Sequence, residues 1–276
     1  MTSLARLNVF GLTVNATLLG LLFAISFLLL TPKTTFAQNS VQRDQQALTI
    51  LTQTVAAGGG PELLASIQDF TETGMVTYYW SGQITGNVTV KGRGLHEFKI
   101  EAELAAGTRT TVVSGESGSL TETSGWARPI YRQSANDLGS LTLPYLPLIA
   151  GVQDSSTSII YGGLVTQNGA TVYDVRLQKV YTEQQDPSGT QGAREARDFY
   201  IDPKTFLVTA FSDQIYFGGP NDQGVSHQVL YSNYQPENGI VVPLTIEETV
   251  QGVPGFTMTF SQVTFNSGLG DSDFAW

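Results

Sequence analysis

Cysteine is absent from all 276 residues. That excludes disulfide staples, a thiolate nucleophile or metal ligand, and the lipid-bearing cysteine of a bacterial lipoprotein. Basic side chains are scarce: 14 Lys and Arg stand against 24 Asp and Glu, a formal net charge of −10. Such a balance repels nucleic acid and anionic lipid surfaces, which call for clustered Lys and Arg, and nucleic acid is set aside as a partner. Histidine occurs twice, as His96 in "GLHEFKI" and His227 in "VSHQVLY", each in a strand-like context. Two histidines at that separation make no metal site by spacing, so both read as ordinary strand positions. The nucleophile elbow G-x-S-x-G, the zinc motif H-E-x-x-H and the Lys-Ser/Thr of a phosphate loop are all missing, as is any repeat of fixed period.

What is present begins with a segment read as an export signal. Arg6 precedes an apolar run from Thr17 to Leu30, followed by small and polar residues, with Thr35 and Ala37 at the positions a signal peptidase prefers small. Cleavage is expected after Ala37. An uncleaved anchor is the rival reading, but fourteen apolar residues fall short of the roughly 20 a spanning helix needs. The remaining 38–276 segment carries 12 basic and 24 acidic side chains, a formal charge of −12, and is expected to be extracytoplasmic, in the periplasm or secreted.

Residues 41–67 form the helical part. Ala47, Leu48, Leu51 and Val55 recur at three- and four-residue spacing, one apolar stripe of a helix. "AAGGGP" then stops it, and Pro61 suits the first turn of a second short helix. From Phe70 the period changes to two, and a meander of strands runs over 70–266, with candidates at 70–80, 84–93, 95–104, 108–115, 117–124, 157–166, 170–182, 196–202, 205–217, 226–235, 239–250 and 255–266. Asn168-Gly169 is a strong hairpin signal because both residues tolerate positive φ. Between Trp126 and Asp154, Pro129, Pro144 and Pro147 break the rhythm and predict a loop or short helix covering the sheet, or a plain connector. Parity along 205–217 puts Phe206, Val208 and Ala210 on one face, opposite Leu207, Phe211 and Asp213. In the last strand Phe256, Met258 and Phe260 share a side, after which the apolar side slips to Val263 and Phe265. A β-bulge near Ser261 and Gln262 accounts for the slip and curves the sheet.

Carboxylate pairs suggest no acid–base site. Glu247 and Glu248 are strand neighbours that point to opposite faces. Glu101 with Glu103, and Asp271 with Asp273, read as solvated edges. "DQIYFGGPNDQG" is rich in Asp and Asn but lacks the spacing of an EF-hand loop. No cofactor and no metal is expected.

The signal segment, the helix ending in "AAGGGPELLASIQDFTETGMV", the hairpin "RDFYIDPKTFLVTAF" and the closing "YSNYQPENGIVVPLTIEETVQGVPGFTMTFSQVTFNSGLGDSDF" together resemble periplasmic outer-membrane lipoprotein-sorting proteins of the LolA/LolB-like type, whose layout secreted acidobacterial-type relatives share. The resemblance implies a mainly β fold with N-terminal helices (α+β): a curved antiparallel sheet forming an incomplete barrel covered by helices, in a single domain over 38–276. It also implies a non-catalytic carrier or sensor of an apolar small molecule, a lipid or a lipoprotein acyl chain, with transient membrane or envelope-protein contact. Under it, Phe206, Val208, Phe256, Met258 and Phe260 are the expected cavity residues. Leu143, Tyr145, Leu146 and Leu148, in "LTLPYLPLIAG", are the expected lid. The alternatives are an envelope interaction or scaffold module whose core is filled by its own side chains, and an outer-membrane barrel. The latter is suggested by the aromatic "DFAW" end and opposed by Gly268, Gly270, Asp271 and Asp273.

Overall fold

The computed structural model describes residues 40–80, 82–130, 138, 141–216 and 223–276. The export signal and its cleavage at Ala37 lie outside the described residues, as does part of the 126–154 connector.

Helix α1 (Gln45–Ala57) buries Ala47, Ile50, Leu51, Thr54 and Val55; of the expected stripe Leu48 is only partly buried, and Ile50 and Thr54 join it. It ends where Gly59 and Gly60 take φ of +126° and +93°, values a β-carbon disfavours. Gly59 also lies against the backbone of Gly239, and Gly58 O accepts a bond from Val241 N at 3.0 Å, so the glycines dock the helix end onto the sheet. Helix α2 (Pro61–Ala65) follows with Pro61 in its first turn.

Among the described residues, thirteen strands then form one antiparallel sheet. Strands β1 (Asp69–Tyr78), β2 (Ile84–Arg93), β3 (Glu97–Leu104), β4 (Gly107–Ser114), β5 (Ser117–Thr121) and β6 (Ala127–Ile130) make one wing. Helix α3 (Tyr145–Gln153) crosses to the other, which holds β7 (Thr157–Gln167), β8 (Ala170–Lys179), β9 (Arg197–Ile201), β10 (Val208–Ile215), β11 (Val225–Glu237), β12 (Ile240–Val250) and β13 (Val253–Phe265). A short helix α4 (Gln191–Arg194) lies between β8 and β9. Spatial order is β6-β5-β4-β3-β2-β1-β13-β12-β11-β10-β9-β8-β7, so the wings join where the first strand meets the last and the sheet stays open.

The bulge expected near Ser261 is present. Thr73 pairs with Gln262 and Gly74 with Phe260, leaving Ser261 unpaired. Beyond it Val263 faces the core beside Met258 and Phe260, which is why the apolar pattern slips by one residue.

Three expectations need correction. The first concerns Pro129, which does not exclude a strand: β6 is a sheet edge, where a missing N–H leaves no ladder bond unmade on the solvent side. The second concerns Phe206, which sits in a turn and not a strand, with φ of +57°. The Asp202 carboxylate accepts the Lys204 and Thr205 amides at 2.8 and 2.7 Å, and Phe206 N bonds to Asp202 O at 2.9 Å, which holds the chain in a tight turn before β10 begins. Third, Val208 pairs with Ile201 and Ala210 with Tyr200, so Thr209 is bulged out. The bulge places Val208 on the side of Phe211 and Asp213, contrary to the simple parity reading.

The β7 edge of the sheet is blunted. Residues 42–44 lie along β7 in parallel, with Ile159 N bonded to Gln42 O at 2.7 Å and Asp44 N to Ile159 O at 2.9 Å. Arg43 reaches the carbonyls of Asp154 and Val152 at 3.0 and 2.6 Å, which fastens α1 to the end of α3. At the other end of the chain, a 3-10 turn (Asp271–Phe274) buries Phe274, and Lys91 and Arg93 pair with Asp273 and Asp271 at 2.6 and 2.5 Å. Asp273 therefore clasps the C-terminal turn to the sheet, while the Asp271 side chain, 96% exposed, stays solvated as expected.

The core fills the concave side, between sheet, α1 and α3. One contact there is tight enough to test. Gly92 pairs with Phe70, and a β-carbon at residue 92 would lie 2.2 Å from the buried Phe70 ring. Gly92→Ala is expected to cost about 1–3 kcal/mol through overpacking. A melting curve followed by circular dichroism checks it, and an unchanged midpoint would mean that the ring moves aside freely.

Candidate functional site

The concave face is apolar over most of its area, yet it carries three polar groupings, each set by strand register. The first lies where β1 ends. Tyr78 pairs with Phe256 of β13, and Phe256 with Glu248 of β12, so all three side chains share the concave side. Arg109 of β4 reaches across: its Nε donates to Glu122 at 3.1 Å and a terminal nitrogen donates to the Tyr78 hydroxyl at 3.3 Å. Its guanidinium stands 4.9 Å from the Tyr78 ring centroid and 4.4 Å from that of Trp80, held by cation–π attraction as well as charge.

The second grouping centres on His227. Its Nδ1 lies 2.6 Å from Asp213 and its Nε2 3.3 Å from Glu248, while Arg197 Nε approaches the other Asp213 oxygen at 3.4 Å as an ion pair. Burial alone would push the imidazole pKa down. The bonds to Asp213 and Glu248, with their charges, overcome that and raise it to about 10. His227 is thus an imidazolium donating both N–H groups, and it retains no free lone pair.

Glu72 of β1 is the third. It is fully buried on the concave side, and neither carboxylate oxygen has a hydrogen-bond partner among the described residues. Burial raises its pKa to about 8, offset in part by the neighbouring Thr142 hydroxyl, whose own oxygen also lacks a well-formed bond. At neutral pH the group is a neutral acid under the segment that leads into α3. The same segment is tied down by Tyr231, whose hydroxyl donates to Leu141 O at 2.9 Å.

A cavity of about 370 Å³ opens over the first two groupings. Ile100, Leu120, Ile130, Leu141, Phe256 and Met258 form its apolar walls, and Trp80, Arg109, Arg128, Glu122, His227 and Glu248 its polar rim. Of the five cavity residues expected from sequence, Phe256 and Met258 line it. Val208 and Phe260 lie in the packed core instead, and Phe206 stacks on Tyr173 at 6.2 Å, outside the lining. The expected lid residues Leu143, Tyr145 and Leu148 are buried in the core and Leu146 is partly so; the cavity is touched from that segment by Leu138 and Leu141. The rim residues are not legible in the sequence because they come from separate parts of the chain: Arg109, Arg128, His227 and Glu248 from four different strands, and Trp80 and Glu122 from just beyond the ends of β1 and β5. A strand-terminal "YYW" at 78–80 was the available signal, since aromatic residues with polar tips collect where an apolar site meets water. Among the described residues no group of His, Asp and Glu is arranged to hold a metal ion.

No protein-family model and no curated protein sequence matches the chain. Solved structures do. A LolA superfamily protein from Nitrosomonas europaea aligns over 83% of this chain and 97% of its own, with a TM-score of 0.51 at 12% identity. A DUF1329 family protein from Desulfovibrio piger covers 83% and 97% with a TM-score of 0.49 at 11% identity. A domain from Vibrio parahaemolyticus described as an outer membrane lipoprotein-sorting protein covers 83% and 96% with a TM-score of 0.47 at 11% identity. The first of these, with the open antiparallel sheet and its covering helices, establishes that the chain has the LolA-like fold.

Proposed function

We propose that the protein is an extracytoplasmic, non-catalytic carrier or sensor that holds an apolar molecule, such as a lipid or a lipoprotein acyl chain, in the concave cavity. The cavity itself carries the reading: about 370 Å³ walled mainly by aliphatic and aromatic side chains, within the ~300–1,000 Å³ range of small-molecule sites. Each acyl methylene moved into it from water is worth about 0.8 kcal/mol, enough in sum to hold a lipid without covalent chemistry. His227, with both nitrogens committed to carboxylates, offers no base for catalysis. The signal-like first 37 residues favour the periplasm, with 38–276 as a single half-barrel domain.

The test is to purify residues 38–276 from a bacterial periplasm without detergent and to analyse the organic extract by native and denaturing mass spectrometry. A stoichiometric lipid is the expected result. Alongside it, Ile130→Trp, on the edge strand and facing the cavity, is expected to reduce uptake of a fluorescent fatty acid by about tenfold, a loss of ~1.4 kcal/mol, with little change in melting temperature. A clean protein that also refuses added lipids would move the assignment to an envelope interaction module.

A further inference from the structure

The cavity rim departs from the charge of the whole chain. Against a net charge of −10 overall, Arg109, Arg128 and the His227 imidazolium face Glu122 and Glu248, a surplus of one positive charge in the lining. Asp213, behind His227, is matched by Arg197 and leaves that surplus intact.

The surplus has an address. Arg109 is engaged by Glu122, by the Tyr78 hydroxyl and by two aromatic faces. Glu248 is engaged by His227. Arg128 lines the cavity from β6, beside Leu120 across the strand pair, and its guanidinium makes no ion pair or hydrogen bond among the described residues. A guanidinium without a counter-charge, at the margin of an apolar pocket in an acidic protein, sits in a field that favours anions locally although the molecule repels them at long range. Guanidinium also presents the forked donors that bind carboxylate and phosphate in pairs.

We infer that the cavity selects amphiphiles with an oxyanion head group, carboxylate or phosphate, and that Arg128 is the residue that pairs with the head while the chain lies against Leu120, Ile100 and Met258. This inference rests on the apolar-ligand reading and names the ligand class for that same site. An anion at Arg128 is a partly exposed pair, so its contribution is modest and sensitive to salt, whereas the burial of the alkyl chain is not.

The experiment compares three probes of one chain length, dodecanoate, dodecyl phosphate and dodecanol, by calorimetric titration below their aggregation concentrations. The full-length mature chain and its Arg128→Gln and Arg128→Lys variants are used. For the wild type, one or both anions are expected to bind about tenfold more tightly than the alcohol, and which anion does so identifies the head group. Arg128→Gln is expected to abolish that preference without altering dodecanol affinity, and Arg128→Lys to retain part of it. Raising NaCl from 50 to 500 mM should narrow the gap in the wild type alone. Equal affinity for all three probes in the wild type, or an anion preference that survives in Arg128→Gln, overturns the head-group inference while leaving the apolar site in place. Failure of all three probes to bind overturns both.

Discussion

Glu72→Gln is expected to raise the melting temperature at pH 9 by on the order of 10 °C and to leave it nearly unchanged at pH 5. The direction follows from where the proton sits. Glu72 is buried with neither oxygen hydrogen-bonded among the described residues, and its pKa is raised from 4.5 to about 8. Above pH 4.5 the unfolded chain releases this proton while the folded chain keeps it. Stability therefore falls as pH rises from about 4.5 and levels off above about 8. At about 1.4 kcal/mol per pH unit the whole interval corresponds to roughly 5 kcal/mol. Glutamine keeps the shape and stays neutral at every pH, so it matches the acid where the acid is protonated and outperforms it where the acid is forced to ionise. Comparing the two proteins across pH separates the charge from any fixed penalty of burying a carboxamide. Parallel melting curves at pH 5, 7 and 9 would show instead that the carboxyl is hydrated or paired.

The position of Glu72 also bears on the way the sheet is covered. It lies under Thr142, and the adjacent Leu141 is both bonded by Tyr231 and part of the cavity wall. Ionising a group there strains the contact between β1 and the segment entering α3. The stability lost at alkaline pH is thus expected first where that segment seats, which hydrogen exchange of the amides at 141–148 can follow.

Most of the architecture could be read from residue patterns because it depends on local periodicity. The stripe of Ala47, Leu51 and Val55 names α1, the change of period at Phe70 names β1, and the slip after Phe260 locates the bulge at Ser261. Errors arose where tertiary position overrides a local rule. Pro129 signals an end to the strands by the local rule, but an edge has no partner for the N–H it lacks. Alternation gives Phe206 a strand's parity, but the Asp202 turn holds it at positive φ and the bulge at Thr209 turns Val208 over. The functional rim was the least legible part. Arg109 and Glu122 are 13 residues apart, and His227 and Asp213 are 14 apart, each pair brought together by the register of two neighbouring strands. Cross-strand register of that kind is not written in composition or period. Apolarity and strand parity point to five cavity residues, of which Phe256 and Met258 form part of one wall, and neither signal reaches the polar rim.

Replacing His227 by leucine is expected to destabilise the fold by about 3–5 kcal/mol at pH 7, the usual consequence of removing one member of a buried ion network. The imidazolium separates two carboxylates. Without it Asp213 retains Arg197 at 3.4 Å, but Glu248 loses its hydrogen-bonded counter-charge. Glu248→Gln added to the leucine variant is therefore expected to restore part of the loss, a coupling that a double-mutant cycle measures directly. The pH dependence supplies a second readout. The folded pKa of His227, about 10, lies above its ordinary 6.5, so the stability it contributes is complete below pH 6.5 and is lost as pH rises through 10. His227→Leu should abolish the decline between pH 8 and 10, make that between pH 6.5 and 8 shallower, and leave the decline below pH 6.5, which belongs to Glu72 alone. An unchanged melting temperature at pH 7 would mean that the three groups are not held together as an ion network. The substitution also bears on ligand choice, because it removes the surplus positive charge at the cavity rim. Anionic amphiphiles should then lose affinity while dodecanol does not, the pattern expected if His227 balances Glu248 and so leaves Arg128 free for the ligand.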